Sequence, residues 1–465
     1  MKKPVFLRIS KMVLCFTLIL TMVLSIAGCG ESGTEKETAS TAANSTATVE
    51  KTTAEATTVA KVEPTVPELP KIELSNKEVK FFSWYAMEEE NPARPFYTLF
   101  KEKYGGTIKT VMTTHEEYYT HLAALVSSGD SPDLIQMRGW DFYPTHIIKG
   151  LAANVDGLVD FNTLLWKDVK EANESAKFNG KSYIICEKPA DLSSYMLFNR
   201  EMFENAGLTT PDELYKNGEW TLDKMKECAI ALSKDADQDG VADQVGLSVQ
   251  GTASFLPIAQ EPLIKYENGQ FVNNTRNPKI ATVMNVAYDL GQAKAIEIGY
   301  EQFKVGKAAM IIFPPWGHQE DFKDFTAKGI IGMVPYPKLD ANSEHIKLEN
   351  VSGYGIGPNA KNIDGAVTII SCARYVNTDY FKENDAEYKA KLAQRIPQVV
   401  ELDNLMPDMF GKLKAVSALD YECMPQYNDA GIKIVAEEGE NFSTAVEKVY
   451  PVIQKMVDDY NAALK

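Results

Sequence analysis

The spacing of apolar and polar positions divides the chain into three parts. Residues Met12 to Ile26 form a mostly apolar run behind Met1, Lys2, Lys3, Arg8 and Lys11. The run is roughly 15 residues long, shorter than the ~20 that a membrane-spanning helix needs. From Glu31 to about Pro70 the periodicity disappears; Thr, Ala, Ser, Glu and Lys dominate, aromatic residues are absent, and Pro64, Pro67 and Pro70 close the stretch. Such a segment has too little apolar surface to offset the entropy of ordering, and it reads as a flexible, Pro-stiffened tether.

The remainder alternates between two periods. Lys80–Trp84, Thr107–Met112 and Asp133–Met137 read as strands, and Tyr118, Leu122 and Leu125 share one helical face between the second and third. A second series follows: Ser182–Ile185 as a strand, a helix from Thr221 with Leu222, Met225, Ala229 and Leu232 in register, then strands at Ala308–Phe313 and Ile330–Tyr336. Val446, Val449, Ile453, Met456 and Tyr460 stripe a last helix near Ser443 to Leu464. Strand, helix, strand at this spacing implies crossover units, hence an α/β body with mostly parallel sheets. Residues 75–465 exceed the ~250–300 at which one core stops growing, so two lobes are expected.

Composition narrows the function. The formal charge is −16, and removing the four basic residues of the opening segment takes it to −20. An acidic body has no attraction for nucleic acid or for an anionic membrane surface. Cys186, Cys228, Cys372 and Cys423 are widely spaced, with no CxxC pair and no His at ligand distance, which argues against zinc; in an exported chain three disulfide pairings are open to them, and most are expected to be buried free thiols. The five histidines form no HExxH, and no GxSxG elbow is present.

Two resemblances follow from particular residues. The apolar run ends at Ile26-Ala27-Gly28-Cys29, with Gly30 after it, and resembles a bacterial lipoprotein signal peptide. This implies cleavage after residue 28, diacylglycerol on Cys29, attachment to the bilayer through the acylated Cys29, and an extracellular location for everything beyond it. Within the body, Ser128-Gly129-Asp130-Ser131-Pro132-Asp133-Leu134-Ile135, Phe198-Asn199-Arg200-Glu201-Met202-Phe203 through Gly207-Leu208, and Phe303-Lys304-Val305-Gly306-Lys307-Ala308-Ala309-Met310 with Trp316 occur in one order. That order resembles the extracellular solute-binding proteins of carbohydrate ABC importers, the class that includes maltose-binding protein.

The resemblance implies a two-lobed, periplasmic-binding-protein-like fold of type II with a ligand cleft between the lobes. A tether at 29–74 would lead into a first lobe of 75–185 and 356–410, and 186–355 with 411–465 would form the second. It also implies a monomer that captures a carbohydrate and delivers it to an ABC permease in the membrane. Ser352-Gly353-Tyr354-Gly355-Ile356-Gly357-Pro358 lacks the Lys-Ser/Thr of a phosphate loop. In the family this stretch crosses between lobes, and its glycines are expected to absorb hinge rotation.

Ligands of open α/β sheets bind beyond the carboxyl ends of strands. This rule places Trp84 and Tyr85 after the first strand, Trp140 and Asp141 after the third, and Trp316 after Ala308–Phe313 at the cleft. Sugars present flat C–H faces and hydroxyl rims, so they need aromatic platforms and planar hydrogen-bonding groups. The three tryptophans meet the first need; Asp141 and one of Glu88 or Glu89 meet the second, with Tyr354 lining the cleft. Trp166 and Trp220 read as packing residues. A peptide or other small polar solute is the alternative ligand, and a surface carbohydrate-active enzyme is the enzyme-class alternative. The expected function is that of a binder, not an enzyme, with no organic cofactor.

Asp235, Asp237 and Asp239 alternate ahead of Gly240, with Val241 at the seventh position and Asp243 at the ninth. This spacing matches the first part of an EF-hand loop and predicts a structural Ca2+ held by the four aspartates and the Val241 carbonyl. Gly246 stands where the bidentate Glu is expected, leaving Gln244 as the candidate replacement.

Overall fold

The computed structural model describes residues 66–88, 94–137, 142–417, 427 and 430–465. Cys29, Glu89, Trp140, Asp141 and Cys423 lie outside the described residues. In chain order the strands are β1 (Glu78–Ser83), β2 (Thr107–Met112), β3 (Leu134–Met137), β4 (Asp191–Asn199), β5 (Val245–Val249), β6 (Ile264–Glu267), β7 (Gln270–Asn273), β8 (Ile296–Ile298), β9 (Ala308–Phe313), β10 (Ile331–Val334), β11 (Ile346–Asn350), β12 (Gly353–Ile356) and β13 (Lys414–Ser417).

The first sheet runs β12-β3-β1-β2, parallel except for β12. Both its faces are covered toward the end of β1: Val79 and Phe81 enter one core and Phe82 the other, while Glu78 and Lys80 lie nearer solvent at its start. Helix Pro95–Tyr104 covers one face with Phe96, Phe100 and Tyr104; Pro95 opens it and Gly105, at φ 62°, ends it in the left-handed region. Asp133 is structural. Its carboxylate accepts N–H groups of Lys80, Lys361 and Asn362 at 2.9–3.0 Å, clasping β1 to the start of helix Ile363–Val376.

The second sheet is mixed, in the order β13-β11-β4-β9-β5-β8, with β10 paired to β4. In β9, Met310 and Ile312 enter one core while Ile311 and Phe313 enter the other. Helix Leu222–Leu232 buries Leu222, Met225, Cys228, Ala229 and Leu232, the face its period predicts, and Thr221 caps it by accepting from Lys224 N–H. β6 and β7 form a separate hairpin.

Four sequence expectations are corrected. β4 was not anticipated, because Tyr195-Met196-Leu197-Phe198 is buried on both faces and shows no alternation. Ser182–Ile185 is extended but pairs only through an isolated Ile185–Tyr354 bridge. The boundary of the tether at 74 is too late: Leu69 and Leu74 are buried in the first lobe, and Tyr104 Oη donates to the Pro70 carbonyl at 2.7 Å. Helix Pro397–Phe410, assigned to the first lobe, packs on the second, where Leu402 and Phe410 join Tyr195, Leu197 and Phe322.

The chain passes between lobes at Cys186–Ala190, at Val351–Ser352 and near Gln394–Ile396. The first two passages lie side by side, held by Ile185 N–H to Tyr354 O at 2.9 Å and Tyr354 N–H to Ile185 O at 3.0 Å. A Cβ on Gly353 would sit 2.2 Å from the Ile185 carbonyl oxygen, one on Gly355 2.7 Å from Met137 Sδ, and one on Gly357 2.1 Å from the Pro132 oxygen. These glycines therefore serve close approach in this structure, and none of them has a positive φ. Gly353→Ala is expected to cost about 1–3 kcal/mol of stability, as overpacking does; a urea midpoint equal to that of the parent protein would refute the close-contact account.

Candidate functional site

Strand register shows how the two carboxyl edges face one another. Met137, at the end of β3, pairs with Gly353 at the start of β12, so the carboxyl edge of the first sheet lies beside the passages. Phe313, at the end of β9, pairs with Tyr195 in the middle of β4, and Asp191, at the start of β4, pairs with Asn350, so that edge of the second sheet points toward them too. The residues following β1 and β2 leave the first sheet, and those following β9 leave the second, on the edges nearest the passages.

On the first lobe, Trp84 is half-buried, with the rings of Tyr118, His115 and Tyr85 edge-on at 5.5, 5.7 and 5.8 Å. Tyr85 Oη donates to Gln136 Oε1 at 2.9 Å, and the Arg94 guanidinium lies 4.5 Å from its ring centre. Glu88 receives the Thr110 N–H at 3.0 Å and hydroxyl at 2.5 Å, so both its oxygens brace β2. Tyr354 is 5% exposed and packs within the core beside Phe81 at 6.3 Å. Sequence reasoning missed His115 and Gln136; the strand-end rule applied to β2, which ends three residues before His115, would have found the former.

On the second lobe, Trp316 is 40% exposed and rests edge-on against Phe313 at 4.6 Å. Pro314 and Pro315 carry the chain from β9 to this indole. Trp220, by contrast, is fully buried, with Nε1 donating to the Pro335 carbonyl at 3.0 Å. Trp166 is 4% exposed, so both packing assignments agree with the burial observed.

The passage between lobes carries an unusual carboxyl. Glu187 is buried, and its Oε2 has no hydrogen-bond partner. Burial pushes its pKa up to about 7; its own backbone N–H, Lys188 and Arg374 oppose the rise, and Asp191 adds to it. Arg374, 1% exposed, grips the same passage by donating to the Glu187 carbonyl at 3.3 Å, to the Leu165 carbonyl at 2.7 Å and to both Asp168 oxygens. Cys186, Cys228 and Cys372 are buried free thiols, and burial raises the pKa of each.

In the aspartate loop, Asp235, Asp237 and Asp239 bring oxygens within 4.8 Å of one another. Gly240 N–H donates to Asp235 Oδ2 at 3.1 Å, whereas Asp235 Oδ1 is buried and unpartnered. Asp243 accepts the Ala236 N–H at 2.8 Å and braces the loop; Gln244 directs Nε2 to the Leu232 carbonyl at 2.5 Å. Val241 is 69% exposed. Three carboxylates converging around an orphaned oxygen fit a hard cation.

The chain belongs to the bacterial extracellular solute-binding protein family, whose model matches residues 85–373. The family is one of solute binders and not of enzymes. Among solved structures, the GacH receptor of Streptomyces glaucescens, known with acarbose, is similar over 82% of this chain and 98% of its own at TM-score 0.58 and 18% identity. A cyclo/maltodextrin-binding protein complexed with maltotetraose covers 83% and 99% at TM-score 0.59 and 18% identity. The sugar-binding protein MalE from Xanthomonas citri covers 82% and 98% at TM-score 0.61 and 14% identity. These likenesses establish the two-lobed fold. A search of curated protein sequences returns no match. Among the described residues, no helix is long and apolar enough to cross a membrane.

Glu187 makes a pH prediction. The folded carboxyl keeps its proton up to about pH 7, against an ordinary value of 4.5, so the folded state binds more protons between them. Stability from this group is complete below about pH 4 and is lost as pH rises through 7, by a few kcal/mol in total. Glu187→Gln is expected to remove that loss. Parallel stability-against-pH curves for parent and variant between pH 4 and 8 would refute it.

Proposed function

We propose that the protein captures a carbohydrate between its lobes and delivers it to an ABC importer, as a lipid-anchored monomer on the outer face of the cell membrane. The observation that carries the sugar reading is the large, 40% exposed indole of Trp316 after β9, with the half-buried indole of Trp84 after β1 as the first lobe's aromatic surface. Flat apolar rings beside hydrogen-bonding groups such as Gln136 match the alternating faces of a pyranose. Relatives of the same fold complexed with acarbose and maltotetraose support the same ligand class. Trp140 and Asp141 would add to the first-lobe wall, and acylated Cys29 would hold the body to the bilayer.

The lobes close on the ligand, water leaves the apolar ring faces, and the closed form is what the permease recognises. Thermal unfolding against maltotetraose, mannotriose and cycloalternan tests this: a ligand bound only by the folded state at a hundred times its Kd adds about 2.7 kcal/mol. Trp316→Ala is expected to weaken the responding sugar about ten- to a hundredfold while sparing the melt, as loss of a base–aromatic stack does at roughly 1–3 kcal/mol. Trp220→Ala is expected to cost about 3–5 kcal/mol of stability. A flat response to every sugar, or turnover of sugar over hours, would refute the reading.

The aspartate loop is proposed to hold a structural Ca2+ through Asp235, Asp237 and Asp239, with the Val241 carbonyl, while Asp243 and Gln244 shape the loop. An ion there would neutralise mutually repelling carboxylates and tie the turn to helix Leu222–Leu232. EDTA is expected to lower the melting temperature of the parent protein and to leave Asp237→Ala unchanged. Equal melts with and without chelator, together with no metal in elemental analysis, would exclude the ion.

A further inference from the structure

Directly beneath Trp316 lies a group of polar side chains that the binding reading leaves unused. Trp316 leads into a single turn, Gly317–Asp321, in which the next side chain, His318, points inward and is 0% exposed. The imidazole is held at both nitrogens: Nδ1 lies 2.7 Å from Tyr195 Oη and Nε2 lies 2.9 Å from Asp403 Oδ1. Gln319 Nε2 adds a bond to the same Asp403 oxygen at 3.1 Å, and Arg395 pairs with the other.

The chemistry fixes the direction of the bond at Asp403. An ionised carboxylate only accepts, so His318 Nε2 carries a proton. Burial, with the Asp403 charge second, pushes the Tyr195 phenol well up, so that hydroxyl stays protonated and shares a hydrogen bond with Nδ1. Burial raises Asp403, but the bonds from His318, Gln319 and Arg395 more than offset it and hold the carboxyl below its ordinary range. At its buried end, Tyr195 and His318, the network admits one arrangement, because a slipped bond leaves a polar group unmet; Asp403 and Arg395 at the other end are partly exposed.

We infer that Tyr195, Asp403 and Arg395, acting through His318, position the Trp316 platform and join it to the third passage between the lobes. Tyr195 pairs with Phe313, the ring on which Trp316 rests. Gly317 fills the space between Phe313 and Phe322, where a Cβ would lie 2.4 and 2.9 Å from ring atoms, and Thr326 Oγ1 donates to the His318 carbonyl at 2.9 Å. The turn therefore has no slack of its own, and the orientation of the imidazole sets that of the indole two residues before it. At the far end, Arg395 stands in the passage that precedes helix Pro397–Phe410, and Asp403 is two turns into that helix. Movement of this passage thus reaches the platform through two side-chain pairs. An apolar residue at 318 would pack as well but would transmit nothing.

The use of the platform for sugar rests on the proposed function; its positioning does not. The test labels the full chain with 5-fluorotryptophan and assigns the Trp316 fluorine signal with Trp316→Phe. Arg395→Gln, Asp403→Asn and Tyr195→Phe are each expected to shift or broaden that signal while those of Trp166 and Trp220 stay in place. Arg395→Gln combined with Asp403→Asn is expected to do no more than the stronger single change, since the two act in series. For a sugar that moves the Trp316 signal in the parent protein, affinity is expected to fall about two- to thirtyfold in each variant. Should the variants melt earlier with the Trp316 signal unmoved, the network is a structural brace alone and the inference fails. Should no sugar move the signal in the parent protein while the variants still do, the carbohydrate reading fails and the positioning role stands.

Discussion

Everything in this molecule that concerns a ligand depends on two backbones lying in contact where the chain passes between its lobes. Ile185 and Tyr354 exchange a pair of main-chain hydrogen bonds, and the approach is close enough that only glycine fits at 353. These contacts set the end of β3, paired through Met137 to Gly353, beside the passage that leads into β4. The carboxyl ends of both sheets are thereby brought to one side. Without that pairing, Trp84 and Trp316 would belong to two unrelated surfaces.

The surroundings of the passages are polar in a way that the lobes are not. Each lobe holds itself together by apolar burial on both faces of a sheet, worth about 1.5–3 kcal/mol for each large side chain removed from water. Around the passages, the work is done instead by Arg374 on the Glu187 and Leu165 carbonyls, and by Asn173 on both backbone groups of Cys186. Hydrogen bonds have direction where apolar contacts do not, so they hold a backbone in register while neighbouring packing changes. Arg395 and Asp403 repeat the device at the third passage.

Most of the architecture was legible where a segment had one buried face. The helices Leu222–Leu232 and Phe442–Ala463 showed their stripes, and β1, β2, β3 and β9 showed their apolar runs between turn residues. β4 was illegible because a strand buried on both faces has no alternation to show, and its polar first half resembles a loop. The places of Trp84 and Trp316 after β1 and β9 were legible, since strand ends can be counted, whereas the polar partners around them were not. Nothing about Glu88 tells that it braces Thr110, and nothing near His318 in the chain announces Tyr195 or Asp403, which lie 123 and 85 residues away. Pairings across such separations are properties of the fold. The glycines from 353 to 357 stood out in the chain, but the tight contacts they permit, across to Ile185, Met137 and Pro132, did not.

The strap at Val66–Leu74 has a mechanical meaning. With Leu69 and Leu74 sunk in the first lobe and Tyr104 bonded to Pro70, any load arriving from upstream enters that lobe and stops there. In the proposed closure the first lobe would be the stator and the second the rotor. A body tethered as proposed would swing open and shut without winding its own mooring, and Trp316 would be the part of the proposed site that travels.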